Sequence, residues 1–475
     1  MTERAVVLAV IGAGPAGLAA ALAAAARGVR VVLVDSAPGA GGQYYRQPAD
    51  ALGARRPQAL HHQWRTWERL REGLTAHVDA GRITHLSDHQ VWCVERLSAG
   101  FEVHALVGTR QEDSVAVRTD GVLLATGAYE KVLPFPGWTL PGVVTAGGAQ
   151  AMLKGGLVLP GRKAVVAGTG PLLLPVATGL AAAGAQVVGL VESADPRDFA
   201  RRARALGGRP AKLVEAAGYA VRLMSRRVPV MARHVVLEAH GPDRLEAVTV
   251  ARLDAAGRAV TGSERRLPCD TLAVGHGLLP HSDLAEGLGC RLDGPNVHVD
   301  DEQRTDVPGI WAAGEATGVG GAALSLAEGH LAGRSAAARL LGAAPDLRGR
   351  AAPVRARARQ RSFAAELDGA YAAPVRWEEL VTDATVVCRC EEVTAGEVRD
   401  AVGSLGAGDL RTVKLLTRAG MGWCQGRVCE PGVAGVAGCE LVPAKRSLAR
   451  PVPLGALAAP PPGAVPPEGP APPPG

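Results

Sequence analysis

Four thiols stand close together in a chain that has only eight. They form two pairs, Cys388-x-Cys390 and Cys424-x4-Cys429, separated by 33 residues. As thiolates, four such groups complete the coordination of either a zinc ion or a [2Fe–2S] cluster. Structural zinc favours pairs spaced by about two to four residues, so Cys-x-Cys is an unusual zinc half-site. Glycines at 420, 422 and 426 surround Cys424 and leave backbone N–H groups free to bond sulfur, which tunes a cluster's potential. Residues 391–420 between the pairs read as helical, with Thr394 and Glu397 spaced as a capping box. Cys439 reads as a core thiol. Cys93, Cys269 and Cys290 stand alone as small hydrophobes, and no Cys-x2-Cys pair occurs.

The other chemistry-bearing pattern is a pair of glycine-rich turns. Residues 5–35 read as strand, turn, helix and strand, with Gly12-x-Gly14-x-x-Gly17 at the turn and Asp35 at the end of the second strand. Gly12 permits the tight turn, Gly14 lets the backbone approach a pyrophosphate, and Gly17 lets the helix lie close to the strand. The helix N-terminus offers unpaired N–H groups to phosphate, and Asp35 is placed for ribose hydroxyls.

The pattern repeats 156 residues later. Gly168-x-Gly170 follows a strand, and Glu192 ends the next one. The third glycine position holds Leu173, which compromises close helix–strand packing, and Pro175 falls in the first helical turn. A carboxylate at 192 repels a 2′-phosphate, so NAD or an adenine nucleotide suits this turn better than NADP.

These motifs require a scaffold of α/β type. The expected fold is two Rossmann-like dinucleotide-binding domains, the second inserted in the first, followed by a small, mostly helical thiol domain. The expected boundaries are 1–135 plus 270–343 for the first domain and 136–269 for the second. A connecting arm covers 344–383 and the thiol domain 384–445. The rest, 446–475, is rich in proline, alanine and glycine and reads as a disordered tail. The 475 residues are 47% hydrophobic but only 3% aromatic, so alanine and glycine must pack backbones closely. With a net charge of +6 from 52 basic and 46 acidic residues, a nucleic-acid partner is not indicated. The densest basic run, Arg355, Arg357, Arg359 and Arg361, reads as a solvated face or subunit contact. Two uncharged runs, 5–26 and 164–191, look like membrane spans by length, but their glycines and prolines belong to the turns. The expectation is a soluble, cytoplasmic protein with no transmembrane segment.

Two further segments carry a resemblance. Residues 121–137 contain a hydrophobic strand ending at Ala125-Thr126-Gly127, and residues 305–333 contain a strand ending at Gly314-Glu315 before an alanine-rich helix. Both resemble motifs of two-dinucleotide-domain flavoproteins, where the second usually ends in Gly-Asp and its carboxylate bonds the ribityl and pyrophosphate region of FAD. Gly41-Gly42-Gln43 resembles a flavin-contacting turn of the same proteins. The stretch from Cys388 to Cys429 resembles the bacterioferritin-associated-ferredoxin-like [2Fe–2S] module.

The order of these motifs, over residues 5–440, resembles the α (A) subunits of hetero-oligomeric amino-acid dehydrogenases and oxidases, a group that includes opine oxidase, hydrogen cyanide synthase, D-hydroxyproline and L-proline dehydrogenases and sarcosine oxidase. The resemblance implies FAD held by Gly12, Gly14, Gly17, Asp35, Gly42, Gln43, Thr126, Gly127, Gly314 and Glu315. It implies a [2Fe–2S] cluster held by Cys388, Cys390, Cys424 and Cys429, and a second nucleotide site at Gly168, Gly170 and Glu192. It further implies an FAD-dependent β subunit related to D-amino-acid oxidase, with room for a small ferredoxin-like subunit beside it. The partner oxidises a C–N bond and this chain passes electrons onward. No protein acid, base or nucleophile stands out; His276 and His281 flank a Gly-Leu-Leu-Pro turn, with stacking near a nucleotide one role open to them. The competing readings are a self-sufficient NAD(P)H-dependent flavin and iron–sulfur reductase, and a non-enzymatic iron–sulfur redox sensor.

Overall fold

The structure, a computed structural model, describes residues 5–195, 197, 210–344, 351–371, 376–441, 446 and 448–458. Its first layer is a parallel sheet in the order Ile310–Ala312, β7 (Gly121–Leu124), β1 (Val7–Ile11), β2 (Arg30–Val34) and β3 (Ile83–Leu86). β1 is buried along its whole length, as expected for a parallel strand covered on both faces. Between β3 and β7 the chain makes an antiparallel meander, β4 (His89–Arg96), β5 (Phe101–Val107) and β6 (Asp113–Thr119).

Helix α1 (Pro15–Ala25) and the long helix Ala322–Leu340 cover one face of this sheet. Their approach explains the small-residue composition. A Cβ at Gly329 would lie 2.0 Å from the Ala16 carbonyl oxygen, and one at Gly333 would lie 2.2 Å from that of Ala20. Helix α2 (Trp64–Asp79) adds Trp67 and Leu74 to the same core.

The chain leaves this domain through β8 (Ala128–Glu130) and returns through β17 (Leu278–Pro280), which pair antiparallel. Between them lies the second parallel sheet. Its order is β12 (Val230–Ala232), β11 (Gln186–Glu192), β10 (Lys163–Gly168), β16 (Thr271–Gly275) and β9 (Val143–Thr145), with helices α3 (Ala146–Gly156) and α4 (Leu173–Ala182) packed on it. β13 (His234–His240), β14 (Ala247–Arg252) and β15 (Arg265–Pro268) form an antiparallel layer on the other face. The expected boundary at 269/270 therefore moves: β16 is hydrogen-bonded to both β10 and β9 and belongs to the inserted sheet.

The arm is a helix, Ala351–Ala370. Its arginines do not simply face solvent. Arg357 and Arg361, four apart and so on one face, bond Asp301 and Gln303 in one case and Thr317 and Glu328 in the other.

The thiol domain is a short hairpin, Val386–Cys388 with Val393–Thr394, followed by helices Ala395–Gly403, Leu410–Thr417 and Glu430–Ala437. The capping box forms: the Thr394 N–H donates to Glu397 at 2.7 Å and the Glu397 N–H to Thr394 at 3.3 Å. A small core of Val387, Val393, Val398, Val413 and Val433 holds it together. It docks on the inserted segment, with the Trp138 indole donating to the Val386 carbonyl at 2.6 Å and the Arg389 guanidinium over the Trp138 ring.

The tail departs from expectation at its start. Arg446 and Ala449 are packed between domains, and Leu454–Ala458 is helical. A composition too poor for its own core can still add side chains to a neighbour's. Residues 459–475 of the expected disordered tail lie outside the described residues. Among the described residues, no helix is long and apolar enough to cross a membrane.

Candidate functional site

In both parallel sheets the strand order reverses at the first strand of the repeat, and the reversal opens a crevice at the carboxyl ends where dinucleotides bind. In the first sheet the crevice lies between the ends of β1 and β7. Gly12 has φ +104°, and a Cβ there would lie 2.3 Å from the Ala125 carbonyl oxygen. A Cβ at Gly17 would lie 1.7 Å from the Gly12 carbonyl oxygen, so only glycine lets α1 start against the turn. Gly14 is the N-cap of α1. The helix has no side-chain cap and no acid in its first turn, leaving its positive end unneutralised. That uncapped terminus fits a pyrophosphate.

Asp35 accepts the N–H groups of Ala13 and Ala37, one on each oxygen. Burial raises its pKa, and the two N–H groups oppose the rise. Each oxygen keeps a lone pair for a ribose hydroxyl. The Gly41–Gln43 turn crosses the same helix end: a Cβ on Gly42 would lie 2.7 Å from Gly14 Cα. Gln43 is exposed, its amide oxygen held by Arg46 at 2.8 Å.

Thr126 and Gly127 form a strap across the crevice. The Thr126 hydroxyl donates to the His281 carbonyl at 2.6 Å, and the His281 N–H donates to Gly127 at 2.9 Å. Gly314 and Glu315 open a short helical turn on the far side. Burial raises the Glu315 pKa, while the Gly321 N–H, at the uncapped start of the long helix, opposes the rise. Glu315 thus stands at the N-terminus of the long helix.

The second turn repeats the backbone but not the chemistry. A Cβ at Gly168 would lie 1.8 Å from the Gly275 carbonyl oxygen, so Gly275 is to Gly168 what Ala125 is to Gly12. Helix α4, however, starts five residues after its first glycine, whereas α1 starts three after. Leu173 cannot approach the strand as Gly17 does; it is buried, and Gly275 leaves room for its side chain. Glu192 reaches further than Asp35 and accepts the Gly170 N–H at 3.2 Å as well as that of Ala194 at 3.0 Å. Its pKa is raised to about 7, because burial outweighs the bonds from Ala194 and Gly170. The end of the arm lies over this turn. Thr169 donates to the Tyr371 carbonyl at 3.4 Å, and Trp377 and Leu380 close a small cavity against Gly168, Ser193 and His276.

The four thiols converge. Cys388 and Cys429 are buried, Cys424 is half-buried and Cys390 is exposed. Cys429 lies beside Cys424 and Cys388, and Cys390 beside Cys424. Four thiols gathered in one small domain, in a Cys-x-Cys pair and a Cys-x4-Cys pair, fit a [2Fe–2S] cluster. The Gly420 N–H donates to the Cys388 sulfur at 3.5 Å, and the backbone N–H groups of Val428 and Gly426 favour the charged form of Cys424. Gly422 serves space instead, since a Cβ there would overlap Cys390. The neighbouring Cys429 thiol lowers the Cys424 pKa, favouring a thiolate.

Residues 6–336 match the family model described as pyridine nucleotide-disulphide oxidoreductase, and residues 386–436 match the BFD-like [2Fe-2S] binding domain. The chain belongs to the pyridine nucleotide-disulphide oxidoreductase family. It is similar to the HcnB subunit of hydrogen cyanide synthase from Pseudomonas aeruginosa, with 35% identity over 88% of this chain and 90% of that one. It is also similar to the A subunit of opine oxidase from Agrobacterium tumefaciens, with 33% identity over 90% of this chain and 84% of that one. The solved structure of L-proline dehydrogenase from P. horikoshii shares the fold, with a TM-score of 0.65 and 20% identity over 96% of this chain and 81% of that one. The chain is an FAD-dependent oxidoreductase with a [2Fe–2S] domain.

The cysteines outside the two pairs form no Cys-x2-Cys motif. Cys269 and Cys290 are buried, and burial pushes their pKa values up to about 12 and about 11, far from a reactive thiolate.

Sequence reasoning missed four residues. Glu328, without solvent exposure, accepts the Gly314 N–H and the Thr317 hydroxyl, each at 3.0 Å, and so fixes the Gly314–Glu315 turn. Glu130 accepts the N–H groups of Gly147 and Gly148 at 2.7 and 3.2 Å, binding the strap's exit to the start of α3. Asp283 and Arg427 join the flavin domain to the cysteine loop at 3.0 Å. An acid on an alanine-rich helix is the one available sequence signal for Glu328; the other three are ordinary until folding supplies their partners.

Proposed function

We propose that this chain is the electron-transferring subunit of a hetero-oligomeric complex that oxidises the C–N bond of an amino acid, imino acid or opine. The partner is a separate flavoprotein subunit related to D-amino-acid oxidase. The observation that carries the reading is the docking of a four-thiol loop against the flavin domain of the same chain, through Arg427 and Asp283. HcnB and the opine oxidase relative are themselves named as subunits, which supports a partner for this chain.

FAD supplies two-electron chemistry and the cluster one-electron chemistry, while the protein supplies position and electrostatics. The N-terminus of α1 receives the pyrophosphate, and Asp35 receives the adenosine ribose. Glu315 and the start of the long helix face the ribityl and ring end, where a helix N-terminus favours negative charge. Cys388, Cys390, Cys424 and Cys429 hold the iron. Cys390 is exposed, as is Trp423, which precedes Cys424 in the chain, and this edge would be the face turned to the next carrier. At the second turn, Glu192 on the Gly170 N–H and the covering arm oppose a dinucleotide, which argues against direct reduction by NADH.

The test is purification alone and as the native complex with whatever subunit co-purifies, with flavin, iron and sulfide analysis. The expected result is FAD and about two irons per chain, no amino-acid oxidation by the chain alone, and oxidation on adding the partner. Rapid bleaching of the flavin by NADH in the isolated chain would favour the self-sufficient reductase instead.

A further inference from the structure

One buried polar chain runs from the flavin strap to the cysteine loop. His281, bonded through its backbone to Thr126 and Gly127, presents its imidazole Nε2 to Asp283 at 3.1 Å. Asp283 takes Arg427 in a two-pronged contact, at 3.0 and 3.4 Å. Arg427 lies between two cysteines of the loop and donates to the Cys424 carbonyl at 3.3 Å. Arg446 joins from the tail, bonding Asp283, Glu430 and the Gln425 carbonyl at 2.8, 2.8 and 2.9 Å. The side chains of Asp283 and Arg427 are only 5% and 8% exposed.

As adhesive, this arrangement is a poor choice. Burying ion pairs costs desolvation, and replacing one by apolar side chains of similar volume is often neutral or stabilising. What apolar packing cannot supply is a fixed loop orientation together with a fixed charge beside the iron. Arg427, Arg446 and the half-buried Arg450 bring three guanidinium groups, set against two carboxylates, Asp283 and Glu430.

We propose that Asp283 is a positioning residue that seats the cysteine loop on the flavin strap and sets the reduction potential of the cluster by offsetting the arginines. This rests on the reading of the loop as a [2Fe–2S] site. Reduction adds one negative charge to the cluster, so removing the Asp283 charge favours the reduced form and raises its potential.

The experiment compares wild type with Asp283→Asn and Asp283→Glu in the full chain. Flavin and iron contents of the wild type are measured first, so failure of the cofactor reading appears there and not in the comparison. Two readouts follow: the cluster potential from a titration followed by electron paramagnetic resonance, and the rate of limited proteolysis of the cysteine domain. The expected result is that Asp283→Asn keeps its iron, shows a higher potential and is cleaved about tenfold faster, the effect of roughly 1.4 kcal/mol of lost docking. Asp283→Glu restores the potential towards wild type. An unchanged potential in iron-loaded Asp283→Asn would overturn the proposal. So would loss of the iron from both variants, because the network would then be holding the domain together without setting its charge.

Discussion

Arg361 on the arm places its guanidinium 2.7 Å from the Glu328 carboxylate, and Glu328 has no solvent exposure at all. The arm therefore supplies the counter-charge for an acid buried beneath the Gly314–Glu315 turn. Burial raises the Glu328 pKa, and Arg361 is the first group to oppose it. Arg361→Met should destabilise the protein by about 2–3 kcal/mol, less than the roughly 3–5 for a fully buried pair, because Arg361 is partly exposed. Arg359→Met, two residues away on an exposed face, should stay within about 0.5 kcal/mol. Thermal and urea unfolding of both variants checks this, and equal effects would contradict it.

At the flavin turn, Gly17→Val should abolish the yellow colour of the purified chain. Its Cβ would overlap the Gly12 carbonyl oxygen, so α1 must move outward and carry its N-terminus from the crevice. Overpacking of this kind costs about 1–3 kcal/mol. A variant that is folded by circular dichroism yet retains stoichiometric flavin would show that the helix start is not where FAD binds.

Glu192 gives a pH signature. Its folded pKa of about 7 lies above the ordinary glutamate value of 4.5, so the native state binds the proton more tightly. Stability is therefore lost as pH rises from about 4.5 to about 7, by on the order of 1–3 kcal/mol. Glu192→Gln removes that dependence. Its stability relative to wild type should rise between pH 5 and about 7.5 and then level off, measured by urea unfolding at several pH values. A difference that is flat across this range would mean Glu192 is ionised and solvated in the native protein.

The cysteines separate by role. Cys388→Ser should lose iron and sulfide while keeping FAD, because the flavin crevice is built by other elements. Cys439→Ser should keep both, since among the described residues that thiol bonds the Ala437 carbonyl, at 3.7 Å, and no other cysteine. Iron, sulfide and flavin analysis of the two variants decides the matter. Iron loss from Cys439→Ser would redraw the ligand set.

Much of this molecule was legible in its sequence because the information is local. Gly12, Gly17 and Asp35 fall within one strand–turn–helix–strand unit, and the turn cannot be built without them. The repeat at Gly168, the Leu173 departure and the two cysteine pairs are patterns of spacing, readable without a fold. What spacing could not give was partnership across the chain. Glu328 finds Arg361 only when the arm folds back, Asp283 finds Arg427 across 144 residues, and Glu192 closes the turn that its type suggested it would serve. Backbone geometry is dictated within a few residues by steric limits and hydrogen bonding. Which buried charge meets which depends on how separate domains dock, and that is settled by tertiary packing alone.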